Sequence, residues 1–149
     1  MSEPGHILVA EDDLTDVFFL ERAFKRAGIP VTLHFVRDGQ EVIDYLQGSG
    51  QFADRTRHPL PQLVLLDLMM PRLDGFGVLE WTRKQPALNG LVIVIFSSSG
   101  EPRDINRAYG LGANSYIVKP HSMGELMELV GRFKKHWLDD DPNHRRKAA

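Results

Sequence analysis

The stretch "LVLLDLMMPRLDG", residues 63–75, places a carboxylate directly after a run of aliphatic residues. Removing a carboxylate from water costs several kcal/mol unless a partner or solvent compensates for the lost hydration. The pattern therefore predicts a buried strand over 63–66 that ends at an accessible pocket, with Asp67 at the point where strand and pocket meet.

The composition is typical of one folded domain, and its net charge does not indicate a particular class of binding partner. The chain has 149 residues, 42% of them hydrophobic, and its 18 basic and 20 acidic side chains give a formal net charge of -2. That balance provides no electrostatic attraction for nucleic acid or for an anionic membrane. Because there are no cysteines, disulfides, thiolate metal sites and cysteine nucleophiles are excluded. The chain turns acidic too soon for a signal peptide and has no apolar run of membrane-spanning length, so we expect a cytoplasmic protein.

Short aliphatic runs alternate with amphipathic stretches along the whole chain. Several of these runs are apolar throughout, which is typical of parallel strands covered by helices on both faces, whereas the run at 31–36 alternates and is predicted to be an edge strand. The predicted strands are "HILVA" at 6–10, "VTLHFV" at 31–36, "LVLL" at 63–66, "VIVIF" at 92–96 and "SYIV" at 115–118.

Helix-end signals lie between the predicted strands. Glycine just after a helix favours a left-handed end, aspartate favours the position before a helix, and proline is tolerated in the first turn. The signals are Gly28 after the first helix, Asp38 or Gly39 before the second, Asp74 before and Pro86 after the third, and Pro102 at the start of the fourth. The fifth helix is predicted from "SMGELMELVGRFKKHWL", with Leu126, Val130, Phe133 and Trp137 as its apolar stripe.

Five strand and helix units favour one topology. Parallel strands joined by right-handed crossovers predict an α/β, doubly wound, flavodoxin-like sheet of five parallel strands in the order 2-1-3-4-5, with five helices. Residues 48–62 are predicted to be a long loop at the end of the sheet opposite the ligand-binding edge. We expect residues 5–139 to form this domain and 140–149 to be a disordered tail.

Chemically active side chains stand just after four of the predicted strands. Carboxyl ends of parallel strands meet at one edge, so we expect these side chains to converge there. Clustered carboxylates repel unless a cation intervenes, and hard oxygen ligands without His or Cys suit Mg²⁺. The residues are Glu11 and Asp12, with Asp13, after the first strand, Asp67 after the third, Ser97, with Ser98 and Ser99, after the fourth, and Lys119 after the fifth.

This set of side chains is suited to phosphoryl transfer. A carboxylate can act as the nucleophile and form an aspartyl-phosphate, with Mg²⁺ and lysine neutralising the transferring group, and Asp67 is the carboxylate central enough for that role. Taken singly, Asp12 or Asp13 could cap a helix and Lys119 could be a surface side chain. Their joint occurrence at successive strand ends favours the functional interpretation.

The sequence resembles the receiver domain of two-component response regulators. The segments "ILVAEDD", "LVLLDLMMPRLDG", "VIVIFSSSG" and "GANSYIVKP" stand in the family's order, and the resemblance extends from about residue 6 to residue 138. It implies a Mg²⁺ site, with Mn²⁺ as an alternative ion, and a cis peptide bond before Pro120. The implied roles are Mg²⁺ ligands for Glu11, Asp12, Asp67 and the backbone carbonyl of Met69, phosphoacceptor for Asp67, switch hydroxyl for Ser97, switch aromatic for Tyr116 and phosphate-binding lysine for Lys119.

A narrower likeness concerns the partner. The segments "RDGQEVIDYLQG" and "GANSYIVKP", with Trp137 near the end, are similar to small single-domain regulators that partner phytochrome-type histidine kinases. The resemblance implies that a sensor histidine kinase, such as a bacteriophytochrome, phosphorylates Asp67. The chain is too short to include an output domain, so we expect the signal to leave through a changed face of helix 4, strand 5 and helix 5.

The sequence also allows functions other than signalling to an output partner, and it predicts an assembly state. The protein could instead be a phosphate sink, an intermediate in a phosphorelay, or a degenerate receiver that acts without phosphorylation. An aspartyl-phosphate phosphohydrolase would need a general acid at the position that Met69 occupies. We also expect a homodimer on the helix 4, strand 5 and helix 5 face, because Trp137 and Leu138 extend the apolar stripe of the fifth helix.

Overall fold

The computed structural model describes residues 5–135, which form a parallel five-stranded sheet in the order β2-β1-β3-β4-β5. This confirms the α/β doubly wound fold and its strand order. The strands are β1 (Gly5–Ala10), β2 (Val31–Val36), β3 (Leu63–Leu66), β4 (Val92–Ser97) and β5 (Ser115–Val118). The α-helices are α1 (Leu14–Arg26), α2 (Gly39–Gln47), α3 (Gly75–Arg83), α4 (Pro102–Gly110) and α5 (Met123–Phe133).

Two hydrophobic cores cover the two faces of the sheet. Successive side chains of a strand point to opposite faces, so Leu8 of β1 packs towards α2 and α3 while Ile7 and Val9 pack towards α1 and α5. Every residue of β3 is buried, as the uninterrupted aliphatic run predicted. Each such side chain contributes roughly 1.5–3 kcal/mol on burial, which anchors the strand that precedes Asp67.

The predicted helix ends and the edge position of β2 are confirmed. Asp38 and Asp74 are the N-caps of α2 and α3, and their carboxylates accept backbone N–H bonds at 2.8 Å and 2.9 Å. Gly28 follows α1 with φ of 66°, in the left-handed region that glycine adopts without strain. No helix among residues 5–135 is long and apolar enough to cross a membrane.

The structure departs from two sequence expectations. The predicted loop 48–62 contains a 3₁₀ turn, Gly50–Phe52, which buries Phe52 in the core; a single turn of this kind is too short to leave a periodic pattern. The expected cis bond between Lys119 and Pro120 is wrong, because no peptide bond within 5–135 is cis. In the trans arrangement the N–H of Lys119 donates to the carbonyl of Ser97 at 2.8 Å and continues the β4–β5 ladder.

The loop that carries Asp67 is fixed by close backbone packing against α2 and α3. The N–H of Gly75 donates to the carbonyl of Leu68 at 3.0 Å, and a Cβ at position 75 would lie 2.5 Å from the carbonyl oxygen of Asp67. Arg72, in the same loop, donates to the buried Asp38 carboxylate from Nε at 2.9 Å and Nη2 at 3.2 Å. The start of α2 is therefore tied to the segment that follows Asp67.

We predict that Asp38 makes stability depend on acidic pH. Burial opposes its charged form, but hydrogen bonds from Arg72 and from the Glu41 N–H outweigh burial and lower the pKa of Asp38 below its usual value. The contribution is therefore fully present above about pH 4, the ordinary aspartate range, and is lost as pH falls through the lower folded pKa.

Urea unfolding of the wild type, Asp38→Asn and Asp38→Ala at several pH values tests this. Asp38→Ala should lower the free energy of unfolding by about 1–2 kcal/mol near neutral pH through loss of the cap. Asp38→Asn should lose less, since its amide oxygen still caps α2, but should flatten the acidic pH dependence. The same pH dependence in the wild type and Asp38→Asn would contradict the assignment.

Candidate functional site

Three of the predicted site residues, Glu11, Asp67 and Lys119, continue the hydrogen-bond ladder just beyond a strand. The N–H of Glu11 donates to the last carbonyl of β2 at 3.0 Å, and the N–H of Asp67 donates to the carbonyl of Ala10 at 3.2 Å. Lys119 is held in the same way beside Ser97. The sheet therefore fixes the backbone of these residues, so little conformational entropy remains to be lost when a ligand binds.

The structure brings the predicted carboxylates and lysine together. One oxygen from each of Glu11, Asp12 and Asp67 lies within 4.8 Å of the other two. The ammonium of Lys119 is 2.6 Å from Glu11 Oε1 and 3.0 Å from Asp67 Oδ2. It also bonds to Asp16 Oδ2 at 2.7 Å.

Asp16 is a member of this cluster that the sequence interpretation missed. Its partner Lys119 lies 103 residues away along the chain, so local patterns give no direct signal of the contact. An indirect signal was present, because Asp13 caps α1 and Asp16 falls in the first turn of the same helix, beside the strand end. The acidic cluster therefore extends from the end of β1 into α1.

Burial and charge set the protonation of the site. The pKa of Glu11 is raised to about 7, chiefly because burial disfavours its charged form; the hydrogen bond from Lys119 opposes this rise and the nearby Asp67 charge adds to it. Burial acts to lower the pKa of Lys119, but its hydrogen bonds to Asp16, Glu11 and Asp67 outweigh this and raise the pKa. The lysine therefore remains charged at neutral pH.

The donor set fits a divalent cation of the magnesium class. All side-chain donors are carboxylate oxygens, which Mg²⁺ and Mn²⁺ prefer over the nitrogen and sulfur ligands that suit zinc. Glu11 and Asp67 are buried, whereas Asp12 is exposed at the mouth of the site and does not share the lysine contacts of the other two. Asp12 is thus the carboxylate most available to an entering ion.

These residues open into a cleft of about 380 Å³. Besides residues that the sequence analysis named, the cleft includes two that it did not: Asp16 and His121. The complete lining is Glu11, Asp12, Asp13, Asp16, Asp67, Ser98, Lys119, Pro120 and His121.

Ser97 and Tyr116, the predicted switch residues, do not line the cleft but meet at Ser99. Ser97 is fully buried at the end of β4, and its Oγ accepts from the Ser99 N–H at 3.2 Å. The Tyr116 hydroxyl donates to the Ser99 carbonyl at 2.7 Å. The β4–α4 loop therefore links the two residues, while their switching roles stay predictions.

Met69 lies on the loop beside Asp67, with an exposed side chain. Its N–H donates to Asp67 Oδ1 at 3.3 Å, so the backbone of Met69 is close to the Asp67 carboxylate. The side chain is 72% exposed and offers no acid group. The use of its carbonyl as a metal ligand stays a prediction.

The comparison with known families agrees with this geometry. The family described as "Response regulator receiver domain" matches residues 7–131. The chain belongs to the response regulator receiver family. The resemblance read from the sequence motifs is therefore confirmed, and members of this family are signalling phosphoacceptors.

Solved structures of phytochrome-associated regulators are similar to this receiver over almost its whole length. Response regulator RPA3017, described in red light signaling of R. palustris, is 39% identical, with TM-score 0.87 and coverage of 91% of this chain and 94% of that one. The phosphorylated cyanobacterial phytochrome response regulator RcpA is 32% identical, with TM-score 0.83 and coverage of 91% and 95%. The Mn²⁺-bound form of Rcp1, a regulator of Synechocystis sp., is 30% identical, with TM-score 0.81 and coverage of 92% and 96%.

We predict unequal contributions of Asp12 and Glu11 to cation binding. Asp12→Ala should weaken Mg²⁺ binding at least about tenfold, because even outer-shell changes at metal sites cost 10–100-fold. Glu11→Ala should have a smaller effect, since the Glu11 carboxylate is already engaged by Lys119. Mg²⁺ titration by calorimetry measures both, with Asp13→Asn as a control that keeps a helix-capping oxygen. Equal affinity in all of these proteins would refute the assignment.

Proposed function

We propose that this receiver takes a phosphoryl group from a phosphohistidine of a sensor histidine kinase and stores it on Asp67, in a Mg²⁺-dependent reaction. The contact of Asp67 with the Lys119 ammonium at 3.0 Å, beside the Glu11 and Asp12 carboxylates, carries this proposal. A buried carboxylate beside a cation and a divalent metal site can bond to phosphorus while its surroundings absorb the added charge.

The proposed reaction is a single displacement at phosphorus. An oxygen of Asp67 forms the new P–O bond as the P–N bond to the kinase histidine breaks, and the leaving nitrogen keeps the electron pair and takes up a proton. Lys119 pairs with a phosphoryl oxygen in place of part of its present carboxylate contacts. The ion held by Glu11, Asp12, Asp67 and the Met69 carbonyl would neutralise charge on the transferring group.

Storage of the phosphoryl group, rather than turnover of an external substrate, is favoured by the side chain at position 69. A phosphohydrolase of this kind needs a general acid near the leaving group, and the exposed Met69 thioether cannot donate a proton. The acidic residues and Lys119 are all present, which argues against a degenerate receiver that works without phosphorylation. The protein therefore acts as a phosphoacceptor that catalyses only its own phosphorylation and dephosphorylation.

The kinase partner that we propose is of the phytochrome type. The relative RcpA is a cyanobacterial phytochrome response regulator, and RPA3017 takes part in red-light signalling of R. palustris. Rcp1 matches 91% of this chain over 90% of its own length, so the likeness includes its overall size. A role as a phosphate sink or a relay intermediate would use the same chemistry at Asp67 and would differ only in the partner that receives the phosphoryl group.

The output surface that we propose consists of α4, β5 and α5. A phosphoryl group on Asp67 would draw the Ser97 hydroxyl from the Ser99 N–H, which loosens the loop that Tyr116 holds through the Ser99 carbonyl. The Tyr116 N–H also donates to the Tyr109 hydroxyl of α4 at 3.1 Å, so a shift of Tyr116 would reach that helix. The two arrangements would differ in which polar contacts this face presents to a partner.

A homodimer on the same face is the assembly that we propose. Val118 on the edge strand β5 is 43% exposed and Tyr109 on α4 is 48% exposed, which leaves apolar surface available to a second copy. The expected anchors Trp137 and Leu138 lie outside the described residues.

We predict that sedimentation velocity will detect this dimer at micromolar concentration. Val118→Asp should weaken association at least tenfold by burying a charge in the contact, whereas Leu60→Asp, an exposed residue outside the proposed face, should leave it unchanged. A second comparison of Trp137→Ala with the wild type tests the anchor. A monomer at every practical concentration would defeat the dimer, and a dimer indifferent to Trp137 would defeat that anchor alone.

We predict that Asp67→Asn abolishes phosphorylation while it preserves the fold. The change is nearly isosteric and removes one charge from a crowded acidic cluster, so thermal stability should be equal or higher. Incubation with a radiolabelled acyl phosphate and Mg²⁺ should give one stable label on the wild type and none on the variant. Asp74→Asn, which keeps a helix-capping oxygen outside the cleft, is the matched control. Label of wild-type strength on Asp67→Asn, or rapid release of phosphate without a stable label, would overturn the proposal.

A further inference from the structure

Two histidines lie together on the sheet, away from the acidic cleft. His6 lies near the amino end of β1 and His34 lies on the edge strand β2. The strand register pairs His6 with Thr32 and Leu8 with His34. Paired residues of parallel strands point to the same face, and so do alternate residues of one strand, so both imidazoles stand on the face covered by α2.

Their facing nitrogens are close enough to share one ligand. Nδ1 of His6 is 3.0 Å from Nε2 of His34, and the ring planes are tilted by 36°. A hydrogen bond between two neutral imidazoles explains this contact only if one of the facing nitrogens carries no proton. At least one lone pair is therefore directed into the space between the rings.

The separation of the two nitrogens also fits a shared metal ion. Zinc binds histidine nitrogen at about 2.0–2.1 Å, so two such nitrogens on one ion are separated by about 2.9 Å at a right angle and about 3.4 Å at the tetrahedral angle. The observed 3.0 Å lies within that interval.

The surroundings hold the rings in place and leave one side open. Both residues are half-buried, and the His34 ring lies 5.8 Å from the ring of Tyr45, which is itself fixed by Phe52 and His58 at 5.1 Å and 5.7 Å. Because the side chains are restricted on one side by this aromatic cluster, binding costs less rotamer entropy than it would for two free surface histidines.

We propose that His6 and His34 form a two-histidine site for a transition-metal ion of the zinc class, with water in the remaining coordination positions. On binding, the ring that donates the present hydrogen bond moves its proton to its other nitrogen, so both facing nitrogens become ligands without a net change of charge on the imidazoles. The site is distinct in chemistry from the acidic cleft, because imidazole nitrogen favours zinc, copper and nickel whereas carboxylate oxygen favours magnesium. It would join β2 to β1 at the edge of the sheet.

Zinc titration in the presence of excess Mg²⁺ tests this proposal, because Mg²⁺ then occupies the acidic cleft. Calorimetry should show one Zn²⁺ bound by the wild type, with the dissociation constant raised at least tenfold in His6→Gln and in His34→Gln. The control Glu80→Gln alters an exposed carboxylate of α3, away from both the histidine pair and the cleft, and should bind Zn²⁺ as the wild type does. Circular dichroism of each variant checks that the fold is kept.

A second measurement needs no variant. In nitrogen-detected imidazole spectra of the wild type, one equivalent of Zn²⁺ should shift Nδ1 of His6 and Nε2 of His34 together. Zinc affinity that is unchanged in both variants, or ring resonances of His6 and His34 that stay in place while Zn²⁺ binds, would overturn the site. Absence of zinc binding by the wild type would overturn it as well.

Discussion

The ion pairs of the Lys119 ammonium are the interactions on which the acidic cleft of this receiver depends. It bonds to Glu11, Asp16 and Asp67, and so joins the end of β5 to the ends of β1 and β3 and to the first turn of α1. Removing one partner of a buried ion pair costs about 3–5 kcal/mol, because the remaining charge stays buried without compensation. The lysine therefore stabilises the same carboxylates that give the site its chemistry.

The positive charge of Lys119 does not neutralise all the carboxylates of the acidic cluster. The remaining negative charge determines which ligands the site can bind. Four acidic side chains, Glu11, Asp12, Asp16 and Asp67, lie near one ammonium group at this edge of the sheet, and the ammonium contacts all of them except Asp12. An anionic phosphoryl group could not approach such a cluster without a further positive charge, since like charges in a partly buried site repel strongly. Under the proposed function, the need for a divalent cation would follow from the same residues that hold the strand ends together.

The sequence predicted the sheet well because burial leaves a direct trace in residue order. The runs at 31–36, 63–66 and 115–118 coincide with β2, β3 and β5, since a strand covered on both faces permits few polar residues and an edge strand permits alternation. Convergence of Glu11, Asp67 and Lys119 also followed, because all parallel strands end at the same edge. Local sequence patterns could not predict which charged side chains contact one another. The contact of Lys119 with Asp16 spans 103 residues and depends on how α1 packs over the sheet.

The predicted roles of Ser97 and Tyr116 depend on a residue that sequence reasoning had not distinguished from its neighbours. Ser99 accepts the Tyr116 hydroxyl at its carbonyl, donates its N–H to Ser97 Oγ and donates its own hydroxyl to Asp104 at 2.6 Å. Three polar contacts meet at this one loop residue, so a group that competed for the Ser97 hydroxyl would weaken one contact of a connected set. A phosphoryl group next to Ser97 would compete in this way, and Ser99 would carry its effect to α4 through Asp104 and to β5 through Tyr116. Under the proposed function, the β4–α4 loop, rather than the buried strands, would be where a chemical change at Asp67 becomes a change of surface.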